Sequence, residues 1–366
     1  MSRFSTVAKA AAFAGLLALP CTALAQGRGG VKVEVRHDGH VEYPQLSPDG
    51  SKIAYEVNYP ADKRREVFFV DWDGRKAGAP AKLVPESMSS SSRYGAGKRV
   101  THGFSWSHTG SYAYAYGVSD STGAQNIYVD NWSDLIGSGD SANKNPAWDP
   151  TEARFVFSSG RTGNGDLYLW DKADPMQLTF DDKNAEIYPS WHPEGGKVVY
   201  VRQGKAGSHV FLFDINLFSS QALVQFEGSE STRPTFSPDG TKVAFFSNRG
   251  TDSPTKFGLW ITDARPGGAP RKIGAKVVLP TKGGASWTPD GKGIVAVMDD
   301  PDQGDPLCIF PIDGGSPRCL ATGTRNNRDP QLRVIESQWK VLYTAQAASG
   351  DSDSSWQEMY IYDVPR

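Results

Sequence analysis

The stretch YPQLSPDGSKIAYEV at residues 43–57 returns, barely altered, as RPTFSPDGTKVAFFS at residues 233–247. Aligned on this phrase, the chain contains seven copies. They are YPQLSPDG from Tyr43, GFSWSHTG from Gly103, NPAWDPTE from Asn145, YPSWHPEG from Tyr188, RPTFSPDG from Arg233, GASWTPDG from Gly284 and DPQLRVIE from Asp329. Successive starts lie 60, 42, 43, 45, 51 and 45 residues apart. A period near that length marks a repeat architecture, in which each unit buries its apolar face only against its neighbours.

Each copy has one anatomy. Its fourth position is bulky and apolar (Leu46, Trp106, Trp148, Trp191, Phe236, Trp287, Leu332), and a turn set by Pro or Gly usually follows. Next come a strand such as KIAYEV or KVVYVR and a polar loop. A third strand then ends on an acidic residue: Asp71, Asp130, Asp171, Asp214, Asp263, Asp313 and Asp363. An aspartate at that place starts the next turn by accepting from the backbone, so these seven carboxylates read as structural. A fourth strand follows in most copies (AKLVPE, PMQLTF, PRKIGA). Four short antiparallel strands repeated radially describe an all-β, seven-bladed β-propeller. Aromatics at 11% with 39 Gly and 24 Pro fit many short strands joined by tight turns. The seventh copy lacks a fourth strand, and VKVEVRHD before the first copy is spare, so the N-terminal strand is expected to close the last blade. Six blades plus a broken segment is the alternative.

Ahead of the repeats, Arg3 and Lys9 precede the apolar run AAAFAGLLALPCTALA, which ends in Ala23-Leu24-Ala25. This predicts a secretory signal over residues 1–25 with cleavage after Ala25, a single propeller domain over 26–366, and a periplasmic or secreted protein. The competing reading, lipidation of Cys21 in LALPC, meets Pro20 where a small residue is preferred. Beyond this segment no stretch is apolar enough to span a bilayer as a helix. A net charge of −2 provides no basic field for nucleic acid. Cys308 and Cys319 flank the Asp313-Gly314 turn symmetrically, so a hairpin would set them opposite each other. They are either a disulfide, which an oxidising compartment permits, or two free thiols.

The repeat phrase resembles the WD40-like (PD40) repeats of the TolB-type propellers, most closely in YPQLSPDGSKIAY, RPTFSPDGTKVAFFSNRG and NPAWDPTEARFVFSSGRTGNGDLYLWD. The resemblance covers roughly residues 31–366 and implies the fold, because sites are grafted onto folds. TolB itself carries an α/β domain before a six-bladed propeller, which this sequence does not show. Related propellers accompany the hydrolase domain of prolyl oligopeptidases, but no Gly-x-Ser-x-Gly elbow occurs here. Others form oligogalacturonate lyases with late histidine clusters, whereas the last histidine here is His209.

Propellers bind at the face where chain enters the innermost strands. The candidates there are His40, Glu42 and Tyr43; His102; Lys144 and Asn145; Glu186 and Tyr188; Thr232 and Arg233; Arg328 and Asp329. The 60-residue first gap adds a Ser-, Gly- and cation-rich loop at residues 85–99, whose Arg93, Tyr94, Lys98 and Arg99 would overhang that face. His37, His40 and Glu42 with His102 lack any defining metal spacing, so no metal and no cofactor is assigned. The reading is an exported, non-catalytic binding or scaffolding module that engages an envelope protein or a polar ligand. The alternative is a carbohydrate-active lyase or hydrolase with its site at the channel mouth.

Overall fold

The computed structural model describes residues 29–83, 99–118, 125–132, 136, 141–347 and 357–365. The expected leader with Cys21 therefore lies outside the described residues, as do Arg93, Tyr94 and Lys98. Strand β1 (Val31–Lys32) precedes the first repeat. Blade 1 is β2 (His40–Leu46), β3 (Lys52–Tyr59), β4 (Arg64–Asp71) and β5 (Ala81–Lys82). Blade 2 is β6 (Arg99–Trp106), β7 (Tyr112–Val118) and β8 (Gln125–Val129). Blade 3 is β9 (Asn143–Trp148), β10 (Phe155–Ser159), β11 (Asp166–Trp170) and β12 (Met176–Gln177). Blade 4 is β13 (Ala185–Trp191), β14 (Lys197–Gly204), β15 (Gly207–Asp214) and β16 (Ser219–Val224). Blade 5 is β17 (Ser231–Phe236), β18 (Lys242–Ser247), β19 (Phe257–Asp263) and β20 (Arg271–Val277). Blade 6 is β21 (Ser286–Trp287), β22 (Gly293–Val297), β23 (Leu307–Pro311) and β24 (Arg318–Cys319). Blade 7 is β25 (Thr324–Ile335), β26 (Gln338–Ala347) and β27 (Glu358–Asp363).

Within every sheet the strands pair in chain order, except that β1 adds to β27. The molecule is a seven-bladed β-propeller, not a six-bladed one. Six blades have four strands and blade 2 has three among the described residues, with an isolated bridge from Ile127 to Ile136 where its fourth would run. No helix among the described residues is long and apolar enough to cross a membrane.

The expected closure is present. Val31 and Lys32 pair with Ile361 and Tyr360, and the Val33 N–H donates to the Met359 carbonyl at 2.9 Å. Lys32 Nζ meets Glu358 Oε1 at 2.7 Å, and Val33 is buried in the core between blades 7 and 1. Second strands are sandwiched between neighbouring blades, and β10 and β22 are buried along their whole length. That explains why they read as continuous apolar runs rather than alternating ones.

The turn after each fourth position is a small polar cage. Ser47 Oγ donates to Asp49 at 2.6 Å and accepts the Lys52 N–H at 2.9 Å, while Gly50 takes φ 73°. Ser237 and Asp239 repeat this with Gly240 at φ 70°, and Thr288 and Asp290 with Gly291 at φ 68°. A left-handed residue at that place favours glycine, which is the physical content of Ser-Pro-Asp-Gly.

The third-strand aspartates divide. Asp214 and Asp313 accept backbone N–H groups two residues on, as expected. Asp71, Asp263 and Asp363 instead pair across the sheet with Lys52, Lys242 and Lys340, lysines at or near the start of the second strands.

Cys308 on β23 and Cys319 on β24 are partners in register and form a disulfide, 11 residues apart. The free-thiol alternative is thereby set aside.

Candidate functional site

Six of the seven innermost strands slip register at the first position of the repeat, as a β-bulge. The residue there is left-handed: Tyr43 at φ 48°, Gly103 at 87°, Asn145 at 53°, Tyr188 at 53°, Arg233 at 53° and Asp329 at 49°. For the five non-glycine residues this conformation is unfavourable by about 1–2 kcal/mol each. All five precede a proline, which has no N–H to give a ladder that the bulge already interrupts. The repeat's proline is thus a bulge residue inside a strand. These side chains therefore lie within the innermost strands and not on loops that enter them.

The bulges bring the repeats together. A cavity of about 290 Å³ is lined by all seven first-position residues and all seven third-position ones (Gln45, Ser105, Ala147, Ser190, Thr235, Ser286, Gln331). Of the sequence candidates, Tyr43, Asn145, Tyr188, Arg233 and Asp329 line it. Four of the others are engaged elsewhere. His40 accepts the Gln357 N–H at 3.2 Å, and Glu42 pairs with Arg65 at 3.1 Å. Glu186 is fully buried on Arg202 at 2.8 Å, and Arg328 is bound to Asp305 at 3.0 Å. Arg99 and His102 fall on β6.

The lining has one acid among several cations. Asp329 accepts the Tyr43 N–H at 3.1 Å, the Thr281 N–H at 2.6 Å and the Thr281 hydroxyl at 2.6 Å. Arg233, 8% exposed, donates to the Pro280 carbonyl and, at 2.8 Å, to that of Thr281, and lies over the Tyr188 ring at 5.4 Å. Lys282 reaches behind the wall to Glu56, which is 1% exposed. Burial pushes Glu56 up and Lys282 down, and each draws the other back towards charge. Burial, then Glu56 and Asp329, raise the Tyr43 phenol well above its ordinary value. Gly283 allows the Tyr43 ring close, since a Cβ there would stand 2.7 Å from its Cε2.

Sequence reading missed Lys282, Glu56 and Arg333. Lys282 lies in the 51-residue gap before the sixth copy. Arg333 had a visible signal: five copies place Ser, Thr or Asp at the fifth position and one a histidine, and only DPQLRVIE places an arginine there. Among the described residues no group of His, Cys, Asp and Glu is arranged to hold a metal.

Fold and site together define a β-propeller with a polar central pocket. No protein-family model matches the sequence, and no curated protein matches it. Solved structures do. An oligogalacturonate lyase from Vibrio parahaemolyticus is 15% identical, covering 90% of this chain and 92% of that one at TM-score 0.59. A prolyl endopeptidase is 12% identical over 88% of this chain, at TM-score 0.58. The chain spans only 50% of that peptidase's length. TolB from Acinetobacter baumannii is 14% identical, covering 88% and 78% at TM-score 0.44. At these identities the likeness is one of fold alone.

Proposed function

We propose that the protein is an exported, non-catalytic binding module that takes a polar ligand or a protein segment in its central cavity. The observation that carries this is the set of five left-handed, pre-proline residues whose side chains converge there. Backbone strain held at equivalent places in several blades, with its side chains turned into one cavity, fits a binding site. The cavity is at the small end of ligand pockets, and its two tyrosines with a fixed arginine suit oriented polar recognition.

The test is crosslinking in the native envelope with tagged protein, followed by mass spectrometry, for the wild type and for Tyr188→Ala with Asn145→Ala. A dominant crosslinked species that disappears in the double variant, with unchanged thermal unfolding, is expected. Crosslinks indifferent to the variant would remove the reading.

A second reading, a carbohydrate-active lyase or hydrolase, is favoured by one contact. Glu56 and Lys282 are an acid and a base whose affinities for protons are drawn together by burial, beside the Tyr43 hydroxyl. Turnover of a polysaccharide panel that is lost in Lys282→Met would establish it in place of the first.

A further inference from the structure

Arg333 lies on β25 two residues beyond Gln331 and four beyond Asp329, and all three line the cavity. Alternation beyond the bulge sets Gln331 and Arg333 on one side of the strand, and the bulge brings Asp329 to the same cavity. Its guanidinium forms no hydrogen bond and no salt bridge among the described residues. The residue is open to water, yet protein surrounds it closely enough that burial lowers its pKa, opposed only by the Tyr43 phenol. That combination describes a cation standing in a water-filled channel. An arginine on an outer surface keeps its full hydration; one here exchanges part of it for whatever anion enters.

The remaining charges do not neutralise it. Asp329 keeps its charge but accepts only from neutral donors and forms no ion pair with either arginine among the described residues, so it offsets one of the two guanidinium charges at most, and Lys282 is paired with Glu56. Arg233 is held by carbonyl oxygens rather than a carboxylate, and its Nε is buried without a partner. Two guanidinium groups without carboxylate partners therefore share one cavity of about 290 Å³. The planar fork of arginine matches a carboxylate or a phosphate.

We propose that the central cavity is an oxyanion site, in which Arg333 binds the carboxylate or phosphate of a small ligand whose remainder packs among Tyr43, Tyr188 and the third-position side chains. This rests on the binding-module reading and gives it a ligand class: an anion of monosaccharide or dipeptide size. Arg333 is the contacting group, and Arg233, locked by the 280–281 carbonyls, supplies fixed positive potential beside it.

The experiment is isothermal titration of the purified protein, in a buffer free of oxyanions, with inorganic phosphate, glucuronate and glucose. Glucose shares the ring of glucuronate without its carboxylate. Phosphate or glucuronate is expected to bind, and glucose is not. Arg333→Gln should weaken binding by about tenfold or more, and Arg333→Lys by less, since the ammonium keeps the charge but not the fork. The open position of Arg333 makes both variants compatible with folding, which near-ultraviolet circular dichroism checks. Phosphate binding alone would assign a phosphoryl group, and glucuronate binding alone a carboxylate. No binding of either anion, or equal binding by Arg333→Gln, would overturn the proposal. Anion binding that survives while crosslinks ignore Tyr188→Ala with Asn145→Ala would fell the module reading and leave this site standing. Lost crosslinks with no anion binding would do the reverse.

Discussion

Gln331 Oε1 accepts the Leu46 backbone N–H at 2.7 Å, across the joint where blade 7 meets blade 1. The same device joins other blades. Ser105 Oγ accepts the Trp148 N–H at 3.1 Å, and Ser286 Oγ accepts the Leu332 N–H at 2.7 Å. In each case a third-position side chain takes the N–H that follows the bulge in the next blade. The tryptophan rings add bonds in the same direction, from one blade to the backbone of the blade before: Trp191 Nε1 donates to the Ala147 carbonyl at 2.7 Å, and Trp106 and Trp287 donate to those of Gln45 and Thr235 at 3.4 Å. Cavity wall and blade-to-blade stitching are thus the same residues.

Gln331→Ala should destabilise the protein by about 1–3 kcal/mol, the cost of leaving a buried N–H without an acceptor. Ser286→Ala should do likewise. Urea unfolding measures both; an unchanged midpoint for the pair would mean that water replaces these side chains.

Asn145 holds φ 53°, a conformation asparagine tolerates and a β-branched residue does not. Asn145→Val should therefore lose about 1–2 kcal/mol, and Asn145→Gly should match or exceed the wild type. Equal losses in both variants would show that the amide, rather than the backbone, is what matters.

The Cys308–Cys319 bond ties β23 to β24, whose outer strand is only two residues long. Closing so short a loop contributes about 2–3 kcal/mol by restricting the unfolded chain. Reduction with dithiothreitol should lower the unfolding free energy read from urea titration by that amount, and Cys308→Ala with Cys319→Ala should reproduce it in the absence of reductant.

Hydrogen bonds from Ser47, then from Ser51, lower the Asp49 carboxyl from 3.8 to about 2. A carboxyl whose pKa is depressed by folding adds stability above its unfolded value, and that stability drains as pH falls through the folded one. Asp239 is lowered in the same way by Ser237 and Thr241. Urea midpoints should therefore fall from about pH 4 towards pH 2, and less steeply in Asp49→Asn with Asp239→Asn. Glu56 and Glu186 act with the opposite sign, because burial raises them and acid favours their folded form. Identical pH slopes for variant and wild type would show that the turn carboxylates do not govern acid stability.

The scaffold was legible because a propeller states its plan seven times. Leu46, Trp191 and Leu332 recur at one place in the repeat, and the spare strand at Val31 had one vacancy to fill. The cavity was less so. Tyr43, Tyr188 and Arg233 could be named from their place ahead of each proline, but nothing local distinguishes a bulge from an entry loop. Glu42, Glu186 and Arg328 sit one or two residues earlier and are turned to partners on other strands of their blade (Arg65 on β4, Arg202 on β14) or in a loop (Asp305). Lys282 and Glu56 meet from opposite ends of the chain, 226 residues apart, which no spacing rule reaches. Arg333 was the exception, an oddity in the seventh phrase that only the cavity explains.

The pairing of Lys32 with Glu358 joins residues 326 positions apart, so it has a consequence for the order in which the molecule forms. A chain emerging N-terminus first presents β1 as an orphan strand and must hold it, unpaired, until β27 arrives. Until then the blades make an open arc with bare edges at both ends, the kind of surface to which chaperones and other strands attach. Closure of the ring through β1 and β27 therefore waits on the encounter of distant segments, which is slow. A product truncated before Glu358 would lack that strand pairing and leave β1 without a partner.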